Sequence, residues 1–394
     1  AGVNALQSTA WILNEKVRAV VSLLWADGAR VAGLPGDEKE ELPSRPDNIN
    51  EEEEVLKKWK KAAALVHARN AELYGHRLLV RRTLDIAEVV QDRPFFFPQK
   101  LDFRGRVYPM PAFLQPQGAD VAKGMLQFSK SDRVELNSEG ARWLSVHAAN
   151  TYGDDKLPLS ARSAWAMRRQ KEIIAAAKYP LAQTWWQEAD KPFQFLAVCF
   201  ELAEMFEKGA VESRIPVAID GSNNGLQIFS LMLRDPVGGA ATNCLSSPTP
   251  MDIYQDVADR ATARLKSMKE PWAKAWSKFL VNGLPRKAVK RSVMTRPYGA
   301  KSITNRDYIR DWYRSLPMKA EQALEVSVYE MADVVWECIA EAVPKAADAM
   351  DWLREVAGLA TDKNVPMVWY TPHAHIPVGQ CYRNISTQKI ETVL

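Results

Sequence analysis

The chain has 394 residues, 47% of them apolar and 25% charged, with 52 Lys and Arg against 48 Asp and Glu for a formal net charge of +4. These are the proportions of a globular protein of two or three domains or one large irregular one, and a near-neutral total neither requires nor rules out a basic groove for nucleic acid. No apolar run approaches the roughly 20 residues of a membrane span, the start has no secretory-signal pattern, and Cys199, Cys244, Cys338 and Cys381 form no CxxC pair, which argues against zinc and fits reduced thiols.

In chain order, residues from about Thr9 to Ala32 have a helical pattern. GLPGDEKEELPSRPDNINEEEE follows as an acidic connector punctuated by Pro and Gly. A long helix is predicted from Glu51, whose acidic first turn suits the positive end of the helix dipole, to about Gln91. Its Lys57, Lys58, Lys60, Lys61, Arg69, Arg77, Arg81 and Arg82 form either a solvated face or one that tracks phosphates. FFFPQKLDFRGRVYPMP then brings aromatics, proline and a short basic turn in which Arg104 and Arg106 flank Gly105. Two guanidiniums around a glycine suit close approach to phosphate or backbone, although such turns are also commonly just solvated. Helices follow, including the Trp-rich TWWQEADKPFQFLAVCFELAEMF, and most of the thirteen tryptophans are expected in the core. RIPVAIDGSNNGLQIFSLML reads as a buried strand, a polar turn and a helix start. From Pro250 the pattern is mainly helical, and VPMVWYTPHAHIPVGQCYR looks like strands. The fold class is α+β, helix-rich. A start without Met and an end in an interrupted strand pattern read as cuts in a longer chain.

Two segments carry candidate chemistry. Asp220 ends an apolar β-type run, a position from which a carboxylate projects off a sheet edge and can hold a hard cation such as magnesium. Gly221 would let the backbone turn and bring a carbonyl near the same ion. The alternative is a turn aspartate that caps the helix beginning near Gly225. In LPRKAVKRSVMTRPYGAK, Arg286, Lys290, Met294 and Tyr298 recur every fourth residue and share one helix face. Two cations, an apolar contact and a ring suit a nucleoside triphosphate laid along that face, with Arg291 just beside the line. Pro297 and Gly299 would stop the helix near Tyr298. The alternative is a basic surface helix with a buried Met and Tyr.

Taken together and in this order, LDFRGRVYP, QPQGADVAKG, TWWQEADKPFQFLAVCFE, AIDGSNNGLQ and PRKAVKRSVMTRPYG resemble the single-subunit DNA-directed RNA polymerases of phages and mitochondria. The resemblance covers nearly all of the chain, beginning with STAWILNEKV and ELPSRPDNIN. KRSVMT with YG two residues later is its most specific part; the DGS turn is specific only in that company.

The resemblance implies a right-hand polymerase fold, incomplete at both ends. Residues 1–97 correspond to a thumb-like helical region, 98–230 to palm with a helical insertion at about 130–210, and 231–394 to fingers. It implies templated transfer of ribonucleoside monophosphates to an RNA 3′-hydroxyl with two magnesium ions. Asp220 would be a ligand of both ions and Gly221 a carbonyl ligand of one. Lys290 would bind the triphosphate with Arg286 and Arg291 as basic neighbours and Met294 on the same face. Tyr298 would read the sugar, and Tyr254 would stand near the incoming nucleotide. Arg104 and Arg106 would lie near the template–RNA hybrid, and the pair Asp155–Lys156 near the active centre, with Lys156 touching nucleic acid. The implied partners are a DNA template, nascent RNA and ribonucleoside triphosphates, with no membrane. The implied setting is the cytoplasm of a bacterial host, if the gene is phage-borne.

Three departures from the family stand out. Ile228 follows Gln227 where the family usually has His, Arg296 and Pro297 replace a small or apolar pair, and no His-Asp-Ser turn occurs to supply a second catalytic aspartate. The expectation is therefore that this chain alone is inactive, with a second chain as one source of the missing palm. A non-catalytic nucleic-acid-binding fragment, one half of a split polymerase and a related DNA polymerase are the alternatives.

Overall fold

The computed structural model describes residues 2–47, 49, 52–102, 105–316, 327–372 and 375–381. They fall into two units, Ala1–Ala218 and Ile219–Leu394, each with its own hydrophobic core. The helix-rich α+β class expected from sequence is what is found, with four two-stranded antiparallel sheets among the described residues.

The first unit opens with α1 (Gly2–Gln7), then β1 (Trp11–Leu13) and α2 (Glu15–Ala26) in place of the single helix expected over 9–32. The correction has a local cause. Asn14 sits in extended backbone and its side chain accepts a hydrogen bond from the Val17 N–H, so α2 cannot begin before it. Trp11, Ile12 and Leu13 instead pair with β4 (Leu126–Phe128), and the Trp11 ring packs 4.7 Å from Phe128.

The long helix α3 (Glu53–Val90) buries only a few small or branched side chains. Several cations of its basic face are already engaged. Lys57 pairs with Glu53 and Arg69 with Glu40, while Arg77 lies over the Trp25 ring. β2 (Gln99–Leu101) and β3 (Val107–Pro109) form a hairpin. α4 (Asp120–Gly124), α5 (Glu139–Tyr152), α6 (Leu159–Ser163), α7 (Trp165–Arg168) and α8 (Gln170–Lys178) lead to α9 (Pro192–Lys208).

α9 is the axis of this core. It is apolar almost all round and buried over most of its length, with α4, α5 and α8 packed against it. Proline at its first position and Gly209, at φ 79°, set its two ends. Tyr152, Trp165, Trp185 and Phe195 form one aromatic cluster beside it, with centroids 5.1–6.1 Å apart, so these tryptophans are core as expected. β5 (Asp132–Glu135) and β6 (Ala210–Ser213) close the unit.

After β6 comes a second correction. Residues 214–221 are not a buried strand; the backbone there has no regular structure and Ile219 is 96% exposed. A strand needs a neighbour for its N–H and C=O groups, and none of the described strands pairs with this run. Pro216 removes one donor as well.

The second unit contains α10 (Asn224–Met232), α11 (Pro236–Ala241), α12 (Ile253–Ser267), α13 (Pro271–Phe279), α14 (Arg286–Thr295), α15 (Ser302–Arg314), α16 (Val328–Ala342) and α17 (Pro344–Asp362). Val257, Ala258 and Ala261 of α12 meet Val289 and Val293 of α14, Ile309 of α15, and Met331, Val335 and Ile339 of α16 in one core. β7 (Met367–Tyr370) and β8 (Pro377–Gln380) fall where strands are expected from sequence, and the structure pairs them antiparallel.

Candidate active site

The DGSNNG turn precedes α10. Asn223, not Asp220, caps that helix, accepting from the Leu226 N–H at 3.2 Å. Asp220 is exposed and accepts from the adjacent Gly221 N–H at 2.8 Å. The capping alternative for Asp220 therefore does not hold. Gly221 does not adopt a left-handed backbone, and a Cβ there would lie 2.6 Å from Gln227 Oε1, the end of a side chain that would have to shift. Gln227 is itself tied to the Thr242 carbonyl at 2.8 Å.

Two further residues hold the turn. The Asn243 side-chain amide donates to Ser222 Oγ at 2.6 Å and to the Met251 carbonyl at 2.8 Å, and its Oδ1 accepts from the Met251 N–H. The Tyr254 hydroxyl donates to the Ser222 carbonyl at 3.3 Å.

α14 is amphipathic in the way its spacing predicts. Ala288, Val289, Ser292 and Val293 are buried, whereas Lys290, Met294 (42%) and Tyr298 (58%) are exposed and Arg286 is half-buried. The alternative with a buried Met and Tyr fails on those two exposures. A short 3-10 turn, Arg296–Tyr298, ends the helix, and Gly299 at φ 92° turns the chain away.

Arg296, one of the departures from the family, is buried. It donates to the Trp336 carbonyl at 2.9 Å and stacks on the Trp336 ring at 4.1 Å, and burial lowers the guanidinium pKa. The turn that carries Tyr298 is thereby fastened to α16. On its other side the Tyr298 hydroxyl lies 3.4 Å from Asn224 Oδ1. A Cβ on Gly225 would stand 2.8 Å from Pro297 Cγ and 3.2 Å from Tyr298 Cζ.

The cations divide into three kinds. Lys290 has no ion-pair partner among the described residues. Arg286 Nε donates to Asp252 Oδ2 at 2.6 Å, and its guanidinium carbon lies 4.7 Å from the Tyr254 ring centre. Arg291 turns to α15, 3.5 Å from Asp311 and over the Tyr308 ring. Tyr254 itself is buried. Burial raises its hydroxyl pKa, opposed by Arg286, and the Asp220 charge also acts on it. Tyr254 thus forms a floor under Arg286 rather than an exposed ring.

Within the second unit the structure therefore gathers Asp220, Gly221, Tyr254 and Arg286, with Lys290, Met294 and Tyr298 in line along α14. Arg106, Asp155 and Lys156 belong to the first unit. Arg106 is exposed in the turn between β2 and β3, where its N–H donates to Asp102 Oδ1 and Gly105 has φ 85°. Lys156 pairs with Asp155 at 2.9 Å. Arg104 lies outside the described residues.

Sequence reasoning does not single out Asp252, Asn243, Asn224 or Gln227. Asp252 carries a usable signal, an acidic residue directly before a helical run, the usual form of an N-cap. Asn243 carries none, since its role depends on a left-handed backbone, φ 61°, and on partners in two other segments.

Among the described residues no three His, Cys, Asp or Glu side chains converge as a metal site. Asp220 is the one carboxylate of the turn. A single carboxylate does not complete the oxygen shell a hard cation takes. No helix among the described residues is long and apolar enough to cross a membrane.

The family profile described as DNA-dependent RNA polymerase matches residues 134–394. The chain is 35% identical to the DNA-directed RNA polymerase of Enterobacteria phage T3, across 99% of this chain and 49% of that protein. It is 34% identical to T7 RNA polymerase of Escherichia phage T7, across 97% and 48% respectively. It is also 34% identical to the mitochondrial DNA-directed RNA polymerase 1B of Nicotiana tabacum, across 100% and 40%. The chain thus spans about half the length, or somewhat less, of the curated relatives it matches.

Proposed function

The chain belongs to the DNA-dependent RNA polymerase family, and from that premise we propose that it carries the nucleotide-gripping surface and first metal-binding aspartate of a DNA-directed RNA polymerase. The reaction is transfer of ribonucleoside monophosphates to an RNA 3′-hydroxyl on a DNA template. The observation that carries this reading is the line of half-buried Arg286 and exposed Lys290, Met294 and Tyr298 in the same unit as an exposed Asp220.

Arg286 and Lys290 neutralise triphosphate oxygens, the guanidinium as a planar fork and the ammonium as a mobile point charge. Met294 supplies an apolar contact and Tyr298 a ring at the helix end, against the sugar. Arg291, beside that line, adds positive charge from its place near Asp311. Asp220 and the Gly221 carbonyl would hold magnesium, which when bound would activate the 3′-hydroxyl and steady the leaving pyrophosphate. What the protein's own residues do is positioning and charge neutralisation, the dominant part of phosphoryl-transfer catalysis.

By the same reading, residues 1–97 serve as thumb, 98–230 as palm with its helical insertion, and 231–394 as fingers. Arg104, Arg106 and Lys156 contact nucleic acid, and Tyr254 supports the incoming nucleotide from beneath Arg286. The partners are DNA template, nascent RNA and ribonucleoside triphosphates, and the setting is a bacterial cytoplasm if the gene is phage-borne. The single carboxylate of the turn favours a second chain, or further palm, as the source of another aspartate.

The test is templated RNA extension together with nucleotide binding by the 394-residue chain. The expected result is binding of ribonucleoside triphosphates that Lys290→Ala weakens, without extension. Robust magnesium-dependent extension abolished by Asp220→Asn would overturn the inactivity of the chain alone. Binding indifferent to Lys290→Ala would overturn the nucleotide surface, and preference for deoxyribonucleotides would move the assignment to a DNA polymerase.

A further inference from the structure

Asp252 sits beside the proposed triphosphate grip, and a carboxylate there can act in two opposite ways. It can repel the polyphosphate, or it can hold the arginine that binds it. The geometry favours the second. Asp252 Oδ1 caps α12, accepting from the Tyr254 and Gln255 N–H groups at 3.1 and 3.4 Å. Its Oδ2 accepts from Arg286 Nε at 2.6 Å, with the Asp252 side chain 17% exposed and that of Arg286 33%.

The guanidinium is therefore held along its Nε edge by a carboxylate that cannot swing without uncapping a helix. It is also held on one face by the Tyr254 ring, 4.7 Å away. That ring is in turn fixed by its hydroxyl on the Ser222 carbonyl of the catalytic turn. Neither Nη1 nor Nη2 of Arg286 has a hydrogen-bond partner among the described residues. These two terminal nitrogens are the pair that a phosphate takes bidentately.

We infer that Asp252 is a positioning residue for polyphosphate: it orients Arg286 so that its two terminal nitrogens face the ligand, and it links that arginine to the Asp220 turn through Tyr254. This deepens the nucleotide-surface reading and rests on it.

The two roles predict opposite signs for Asp252→Asn. Asparagine caps a helix as well as aspartate does, so α12 is kept while the anionic partner of Arg286 is lost. By Coulomb's law, removing one negative charge a few ångströms from a polyanion tightens binding by about threefold or more. Loss of orientation instead weakens it, by about fivefold or more for a charge-assisted contact.

The experiment is calorimetric titration of the full 394-residue chain with inorganic tripolyphosphate in the absence of divalent cations. The variants are Asp252→Asn, Lys290→Ala, Arg286→Ala and the double variant Asp252→Asn/Arg286→Ala, with Asp252→Ser as a second capping replacement should the first fold poorly. The expected results are weaker binding for Asp252→Asn in a chain that still melts cooperatively and is folded at the titration temperature, and no weakening by the same change once Arg286 is alanine. Unchanged or tighter binding in Asp252→Asn, with Lys290→Ala still weakening, overturns the positioning role and leaves the nucleotide surface standing. Weakening that persists in the Arg286→Ala background also overturns it, since Asp252 would then act by another route. If the unaltered chain does not bind tripolyphosphate, or Lys290→Ala has no effect, the nucleotide surface itself falls and this inference with it.

Discussion

Replacing Gly225 with alanine tests the packing between the Asp220 turn and Tyr298 with a single methyl group. Its carbon would stand 2.8 and 3.1 Å from Pro297 Cγ and Cβ and 3.2 Å from Tyr298 Cζ, where carbon pairs prefer about 3.5–4.0 Å. Neither a proline ring nor a short 3-10 turn fastened to Trp336 yields easily. Overpacking of this kind costs about 1–3 kcal/mol, and the better helix propensity of alanine returns at most about 1 kcal/mol. With carbon contacts as short as 2.8 Å the cost lies at the upper end of that range, so the net is a loss of roughly 2 kcal/mol, which for a unit of this size lowers the thermal midpoint by about 4–8 °C. Gly358 is the internal control: it is exposed within α17, and a methyl group there would meet nothing within 4 Å. Its alanine variant should gain roughly 0.5–1 kcal/mol. Circular-dichroism melts of both variants, with ribonucleotide binding measured alongside, should show Gly225→Ala losing both stability and affinity and Gly358→Ala losing neither. A Gly225→Ala chain that melts at or above the unaltered protein would refute the close packing.

Two other changes probe separate parts of the molecule. His147 is buried in the first unit, and burial, aided by the Lys191 charge, lowers its pKa to about 4. The folded state then takes up its proton later than the unfolded chain does, so stability falls as pH drops from about 6.5 toward 4, by roughly 3 kcal/mol in all. Asp120 and Glu201, whose carboxyl pKa values burial raises, act in the opposite sense. The measurement is therefore the difference between the unaltered chain and His147→Gln at each pH, and a difference that stays flat across that window would contradict the account. Arg296→Ala should destabilise the second unit by about 2–4 kcal/mol through a lost hydrogen bond and an unfilled space against Trp336. Arg296→Met, which fills the space without a buried charge, should recover most of that loss in urea melts; equal melts for the two variants would show that packing against Trp336 is not what holds the turn.

What the sequence makes legible is what chain-local physics determines. The fourfold spacing from Arg286 to Tyr298 defines a face whatever surrounds it, and Pro297 and Gly299 end a helix by their own backbone limits. The long α3 and the largely apolar α9 announce themselves in the same way. Relations between distant segments are not legible in this way. β1 has three residues and a partner more than a hundred positions away, so the Asn14 cap is hidden inside a helical pattern. The run Ile215–Ile219 has residues suited to a strand, but strand formation is a property of a pair. The Asp252–Arg286 bond joins residues 34 positions apart. Resemblance puts Tyr254 near the nucleotide, yet only the folded core shows that its ring is a floor.

Tyr298 meets Asn224 and Gly225, the first two residues of the helix whose cap lies three positions beyond Asp220. If that ring reads the sugar, then selection and chemistry share one rigid lever. On that reading a sugar that displaced the ring would also tilt the start of α10, and with it Asp220, the proposed metal ligand. Fidelity in such an arrangement needs no separate checkpoint: a misfitting substrate slows its own incorporation by spoiling the geometry that would have consumed it.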